Sequence, residues 1–281
     1  MKVSANSRSD PVVLITGGSS GIGAACVRKF FASGWKVSVL ALPDADLGWL
    51  QSLGVVITAG DITSEQTRVT AVQRTLAAYG RTDVLINNAG VGLYGLPTQV
   101  PAALFSRLLE VNAVAPLALA QLIIPVMLGQ GSGTIVTMGS VSGNVALPWA
   151  AAYSASKAAL HSIHDSLRLE LRDSPIHLIK VCPGIVDTDF RSHVLSGRPP
   201  ERVRDIRRIV SPDDLAAAIF RAAVTRRSRT VYLPTIGSVF SLVGPLVPAL
   251  MDVYLSRFLP PPQHPADSAL NGAPGTKHEE H

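Results

Sequence analysis

Tyr153-Ser154-Ala155-Ser156-Lys157 sets a phenol and an ammonium four positions apart. On a helix that spacing puts both on one face, one turn apart. A free tyrosine, with a pKa of about 10, is a poor base at neutral pH. A neighbouring cation favours the phenolate, and a phenol so tuned can exchange a proton with a substrate hydroxyl. Ser140, thirteen residues upstream, supplies a further hydroxyl. Taken singly, these are an ordinary helix pair and a turn serine. His161, His164 and Asp165 invite a Ser-His-Asp reading, but they share one helix and no G-x-S-x-G segment is present. A second region with chemical meaning is Thr16-Gly17-Gly18-Ser19-Ser20-Gly21-Ile22-Gly23. Glycines there allow a tight turn and let the backbone approach a pyrophosphate, which a helix N-terminus then holds.

The elements that must position these groups are legible from periodicity. Pro11 to Thr16 reads as a buried strand, Gly21 to Ser33 as a helix, Val37 to Leu42 as the next strand, and Val55 to Thr58 as the third. Thr63 to Tyr79 is an amphipathic helix, with Val69, Val72 and Leu76 recurring at three and four residues. Val84 to Asn87 is strand four. Pro101 to Leu128 is a long helix expected to bend at Pro116 or Pro125. Thr134 to Met138, Ala150 to Arg172, Ile176 to Val181 and Val231 to Leu233 follow as strand, helix, strand and strand. Apolar strands alternating with helices predict an α/β fold, a single doubly wound Rossmann-type domain. Its parallel sheet, of about seven strands with helices on both faces, binds ligand beyond the carboxyl ends of the strands. Ser140, at the end of strand five, then faces the same crevice as Tyr153. The domain is expected to span residues 8–259, with a disordered Pro-rich tail over 260–281.

At 281 residues and 47% hydrophobic, the chain has the length and composition to bury a large core, which excludes a disordered chain. Cys26 and Cys182 form neither a disulfide framework nor a metal-ligand spacing, so no metal site and a reduced, cytoplasmic setting are expected. Residues Met1 to Asp10 are polar and predict no secretory leader. Ten arginines fall between Arg191 and Arg229, against four acids. No aromatic residue lies between Arg191 and Ile219, which argues against a nucleic-acid surface. Thr230 to Met251 holds 22 uncharged residues, long enough to span a bilayer but broken by Pro234, Pro245 and Pro248. An amphipathic lid, a subunit contact or a helix on a membrane surface fits residues 232–259 better.

The GxxxGxG spacing of the glycine loop resembles that of the short-chain dehydrogenase/reductase family. The resemblance continues through Asn87-Asn88-Ala89-Gly90, Asn112, Ser140, Tyr153, Lys157 and Pro183-Gly184-Ile185-Val186-Asp187-Thr188, covering residues 11–234 in family order. It implies an NAD(P)-dependent oxidoreductase interconverting a hydroxyl and a carbonyl. Tyr153 would be the acid/base, Lys157 would lower its pKa and bind ribose, Ser140 would hold the substrate oxygen, and Asn112 would hold a water linking the lysine to solvent. Cofactor contacts are implied for Gly17, Ser19, Ser20, Gly21, Ile22, Gly23, Asp61, Ile62, Asn88, Ala89, Gly90, Pro183, Gly184, Val186 and Thr188. A homodimer or homotetramer built through helices 101–128 and 150–172 is also implied.

Two departures stand out. Where the family usually has a serine before the catalytic one, this chain has Gly139. At the end of strand two, Ala41 and Leu42 supply neither the acid common in NAD-preferring members nor the base common in NADP-preferring ones. With Asp44 available to the ribose, NAD is favoured over NADP. Gly92, Leu93, Tyr94, Leu147, Trp149, Ile185 and Phe190 make an apolar pocket, beside a lid expected over 190–210. A steroid, retinoid or long-chain keto-lipid fits such a pocket. The alternatives are an NADPH-dependent 3-oxoacyl reductase, whose acyl carrier the arginines would attract, and a non-enzymatic module that senses nicotinamide.

Overall fold

Strands that are apolar on both faces must be covered on both faces, and seven strands, part-exposed chiefly at the two edges, form one parallel sheet here. They are β1 (Val12–Thr16), β2 (Lys36–Ala41), β3 (Val56–Ala59), β4 (Val84–Asn87), β5 (Gly133–Met138), β6 (Ile176–Pro183) and β7 (Arg229–Leu233). The computed structural model describes residues 10–198 and 209–258. The strand order is β3-β2-β1-β4-β5-β6-β7, so the chain winds outward from β1, returns to β4 and winds out the other way. That reversal opens a crevice beyond the carboxyl ends of β1 and β4. The glycine loop after β1 and the Asn88 segment after β4 therefore face each other.

The helices are α1 (Gly21–Ala32), α2 (Gly48–Ser52), α3 (Glu65–Tyr79), α4 (Ala102–Leu109), α5 (Ala115–Gln130), α6 (Ala151–Glu170), α7 (Pro212–Val224), α8 (Ile236–Val243) and α9 (Pro248–Phe258). On one face α1 and α7 bury Val27, Phe30, Leu215 and Ile219 against the sheet. There Phe30 stacks edge-on against both Trp35 and Phe220, at 5.0 Å each. On the other face Leu119, Ile123 and Met127 of α5 pack with Leu14, Leu85 and Leu178.

The long helix expected over 101–128 departs from α-geometry just ahead of Pro116 and not at Pro125. It divides at a π-helical turn, Glu110–Val114, in which the Ala115 amide donates five residues back to Glu110. Pro116 explains the position. It has no N–H to give the carbonyl four residues earlier, that of Asn112, and its ring would crowd that carbonyl in an α-helix. Pro125 is carried inside α5.

The uncharged stretch over 230–251 is likewise not one helix. It runs through β7, α8, a 3₁₀ turn (Gly244–Leu246) and the start of α9, and exposes Ile236, Val239, Val243, Leu246 and Leu250. Among the described residues, the helical run Ala102–Gln130 is the one long and apolar enough to cross a membrane, and half of its most apolar window is buried in the protein. Residues 199–208, the middle of the expected lid, and the tail over 260–281 lie outside the described residues.

Candidate active site

The glycine loop is shaped by contacts that no side chain would permit. Gly17 and Gly21 adopt φ of +64° and +52°. A Cβ at Gly23 would lie 1.9 Å from the Gly17 carbonyl oxygen and 2.7 Å from Asn88 Nδ2. The loop is also laced to the β4 end. Asn88 Nδ2 donates to the Thr16 and Gly17 carbonyls at 3.0 and 3.2 Å, and the Asn88 and Ala89 amides donate to Thr16 Oγ1. At its N-cap Ser20, α1 has no side-chain cap and no acid in its first turn, leaving its amides free for an anion. A groove of about 480 Å³ runs beside it, lined by Ser19, Ser20, Gly21, Arg28, Trp49 and Thr188. These residues fit a dinucleotide pyrophosphate. Ile62 is buried, and Asp61 is held by Arg107 of α4 and by the Thr63 amide and hydroxyl. Those bonds and the Arg107 charge outweigh the opposing effect of partial burial and draw the Asp61 carboxyl below its usual range.

The expected catalytic residues come together at the carboxyl ends of β5 and β6. Ser140 follows β5 and caps a single 3₁₀ turn, Val141–Gly143, its Oγ accepting from the Ser142 amide at 3.2 Å. Tyr153 and Lys157 lie in the first two turns of α6, the Lys157 Nζ 5.7 Å from the Tyr153 ring centre. Burial lowers the Lys157 ammonium to about 8. The Tyr153 phenol moves the other way from the sequence expectation: burial and then the neighbouring Tyr94 raise it, while a hydrogen bond with Ser140 lowers it in part. The reason is that a desolvated phenolate is costly, and the ammonium is aimed elsewhere, donating to the Met138 carbonyl at 2.9 Å.

Asn112 sits in the π turn with its side chain fully engaged. Its Oδ1 accepts from the Val91 amide at 2.9 Å, and its Nδ2 donates to the Val91 carbonyl and to Ser156 Oγ at 3.0 Å each. It therefore bridges the segment after β4 to α6, and a water held for Lys157 would need its backbone carbonyl. Gly90 leaves room beside it: a Cβ there would be 3.2 Å from Asn112 Oδ1 and 3.6 Å from Lys157 Nζ.

On the substrate side, Phe190 packs 6.0 Å from the Tyr153 ring. Gly92 is paired with Val194, and Tyr94 donates from its amide to the Ser196 carbonyl, so the 190–198 segment closes over this end. Leu147 and Trp149 are half-buried in the loop leading to α6, the latter at φ +66°. Gly184 is fixed by a bond from its amide to the Leu233 carbonyl, Val186 pairs with Val210, and Thr188 Oγ1 accepts from the Phe190 amide. Pro183 is buried at the end of β6. Asp44 is exposed in the turn after β2.

Sequence reasoning missed three neighbours of the site. Trp49 Nε1 donates to the Ser19 carbonyl at 3.2 Å, and Arg28 lies 6.0 Å from the Trp49 ring. Both contacts join residues far apart in sequence, and no local pattern announces them. The third is His161, set aside as part of a triad; its ring does touch Ser140, but through the backbone amide. His164 bonds Thr137, and Asp165 pairs with Lys180, so no triad forms.

A parallel sheet with a glycine-cradled crevice and a Tyr-Lys helix beside it defines a dinucleotide-dependent oxidoreductase scaffold. The model of the short chain dehydrogenase family matches residues 11–198, and the chain belongs to that family. It is 32% identical over 200 residues to a dehydrogenase/reductase SDR family member 7B of Danio rerio, covering 67% of this chain and 65% of that protein. Over 252 residues it is 31% identical to an SDR family protein 7-like of Anopheles gambiae, covering 84% and 79%. It thus spans less than two thirds of the Danio rerio relative's length. In fold it resembles a short chain dehydrogenase/reductase from Burkholderia phymatum in complex with NAD (TM-score 0.74, 24% identity, 86% of this chain and 95% of that one). It also resembles an archaeal alcohol dehydrogenase from Thermococcus sibiricus complexed with 5-hydroxy-NADP (TM-score 0.67, 21% identity, 79% and 95%).

Proposed function

We propose that this chain interconverts a secondary alcohol and a ketone on an apolar substrate, using NAD(H) or NADP(H). The observation that carries the reading is the convergence of Tyr153, Lys157 and Ser140 beside the glycine-cradled crevice, with Phe190 against the phenol. When bound, the nicotinamide accepts or gives the hydride at the reacting carbon. In the reductive direction Tyr153 donates its phenolic proton to the carbonyl oxygen as hydride reaches the carbon; in oxidation the phenolate takes that proton back. Ser140 Oγ holds the same oxygen. Lys157, donating to the Met138 carbonyl, would bind the nicotinamide ribose from that position. Gly17, Gly21 and the open amides of α1 would hold the pyrophosphate, and Asp61 the adenine.

A steroid, retinoid or long-chain keto-lipid matches the apolar lining. NAD stays the favoured cofactor, because Ala41 and Leu42 offer no cation at the end of β2. The same reading has a cytoplasmic homo-oligomer whose exposed α8 and α9 residues are open to a membrane surface.

The test is to titrate NADH and NADPH into wild type and Tyr153→Phe at matched ionic strength, then assay 2-decanone reduction. Wild type should bind NADH more tightly and turn over, and Tyr153→Phe should bind equally while losing about 100-fold or more in kcat. A variant with full turnover, or a protein that binds neither cofactor, would overturn the reading.

A further inference from the structure

We propose that His161 is the positioning residue for Ser140, and that Gly139 and Gly143 are glycines because its ring occupies their side-chain space. This rests on the role given to Ser140 above. His161 stands on α6 two turns beyond Tyr153 and is 5% exposed. Its ring spans both ends of the turn that Ser140 opens. Nε2 accepts from the Ser140 amide at 3.3 Å, and Nδ1 meets Asn144 Oδ1 at 3.0 Å. A backbone amide can only donate, so Nε2 carries the lone pair; the proton is then on Nδ1 and goes to the Asn144 oxygen. The Cys182 thiol lies 3.7 Å from the same Nε2. One neutral tautomer satisfies both the Ser140 amide and the Asn144 oxygen.

The two flanking glycines record the same fit. A Cβ at Gly139 would meet His161 Nε2 at 2.3 Å, and one at Gly143 would meet Cε1 at 2.6 Å. The departure from the family's serine before Ser140 is therefore paired with the histidine. On its outer side the turn is pressed by the helices after β7: a Cβ at Gly237 would be 3.2 Å from Val141, and one at Gly244 would be 3.1 Å from Val145. Held between the ring and α8, the turn fixes where Ser140 Oγ points, and a hydroxyl misplaced by an ångström loses most of its value in the transition state.

The experiment compares wild type, His161→Leu, His161→Gln, His161→Ala, Gly139→Ala and the double variant Gly139→Ala/His161→Ala, with Tyr153→Phe as reference. Two quantities are read: hydrogen exchange of the peptide over 138–146, and kcat and KM for 2-decanone. Loss of the acceptor in His161→Leu should speed exchange in that peptide about tenfold or more and lower kcat about tenfold, with cofactor affinity unchanged. Glutamine, which keeps an acceptor, should recover part of both. Gly139→Ala should be damaging alone and much less so when His161 is also alanine, because the methyl and the ring compete for one space. Unchanged exchange in His161→Leu, equal effects of leucine and glutamine, or additive glycine and histidine effects would overturn the proposal. If Tyr153→Phe retains turnover, the reading of the site fails instead, while the exchange results still decide the role of His161.

Discussion

The Lys157 ammonium donates to the Met138 carbonyl, which ties the second turn of α6 to the end of β5 two residues before Ser140. Strand and helix that carry the proposed proton donor and its partners are thus joined by a charged bond in a buried setting. Burial lowers that ammonium to about 8 in the cofactor-free protein. Below this pH the charge is present; above it the charge is lost, and with it the proposed charged hold on the cofactor ribose. The kcat/KM for the cofactor, which reports the free enzyme, should therefore fall above about pH 8. Lys157→Arg should move that limb beyond the range measured, at lower absolute activity. A limb that stays in place in the arginine variant belongs to another group.

The glycine loop makes a sharper claim about shape. Gly23→Ala would drive a methyl to 1.9 Å from the Gly17 oxygen, backbone that cannot swing away. Cofactor affinity should drop about 100-fold, and stability should fall by about 1–3 kcal/mol as the loop rearranges. Gly129, in the last turn of α5, has nothing within 4 Å of its Cβ position and no positive φ. Gly129→Ala should leave binding unchanged and raise stability by about 0.5–1 kcal/mol. Equal effects at the two positions, in calorimetry of binding and in urea unfolding, would contradict the cradle.

The succession of strands along the chain and the candidate site residues were legible because each depends on local signals. The β1 run, the glycines after it, Asn88 after β4 and the Tyr153-Lys157 pair each announce themselves within a few residues. What stayed hidden was decided by tertiary contact. The break in the long helix falls at Asn112 because Pro116 withholds a bond from that carbonyl, while Pro125 sits inside α5. Periodicity sees two prolines and cannot rank them. Trp49 reaches Ser19 across thirty positions, and His161 reaches Ser140 across twenty-one, neither within a pattern window. The Tyr153 pKa also turned on burial, which a four-residue spacing does not report.

Two buried histidines set the acid limit of the fold. His161 is driven down to about 3 by burial, and then by the charges of Lys180 and Lys157. His164, bonded through Nδ1 to Thr137, is driven down to about 4 by burial and then by Lys180. In the unfolded chain both return to about 6.5. Between that value and their native ones, the unfolded chain binds protons that the folded protein refuses. Stability is thus complete above about pH 6.5 and drains away as the pH falls. Each group costs about 1.4 kcal/mol per pH unit, so two of them remove on the order of 4 kcal/mol between pH 7 and pH 5. Urea unfolding at the two pH values measures the loss directly. His164→Gln, which can still bond Thr137, should roughly halve it, and a variant with the full wild-type loss would assign the acid sensitivity elsewhere.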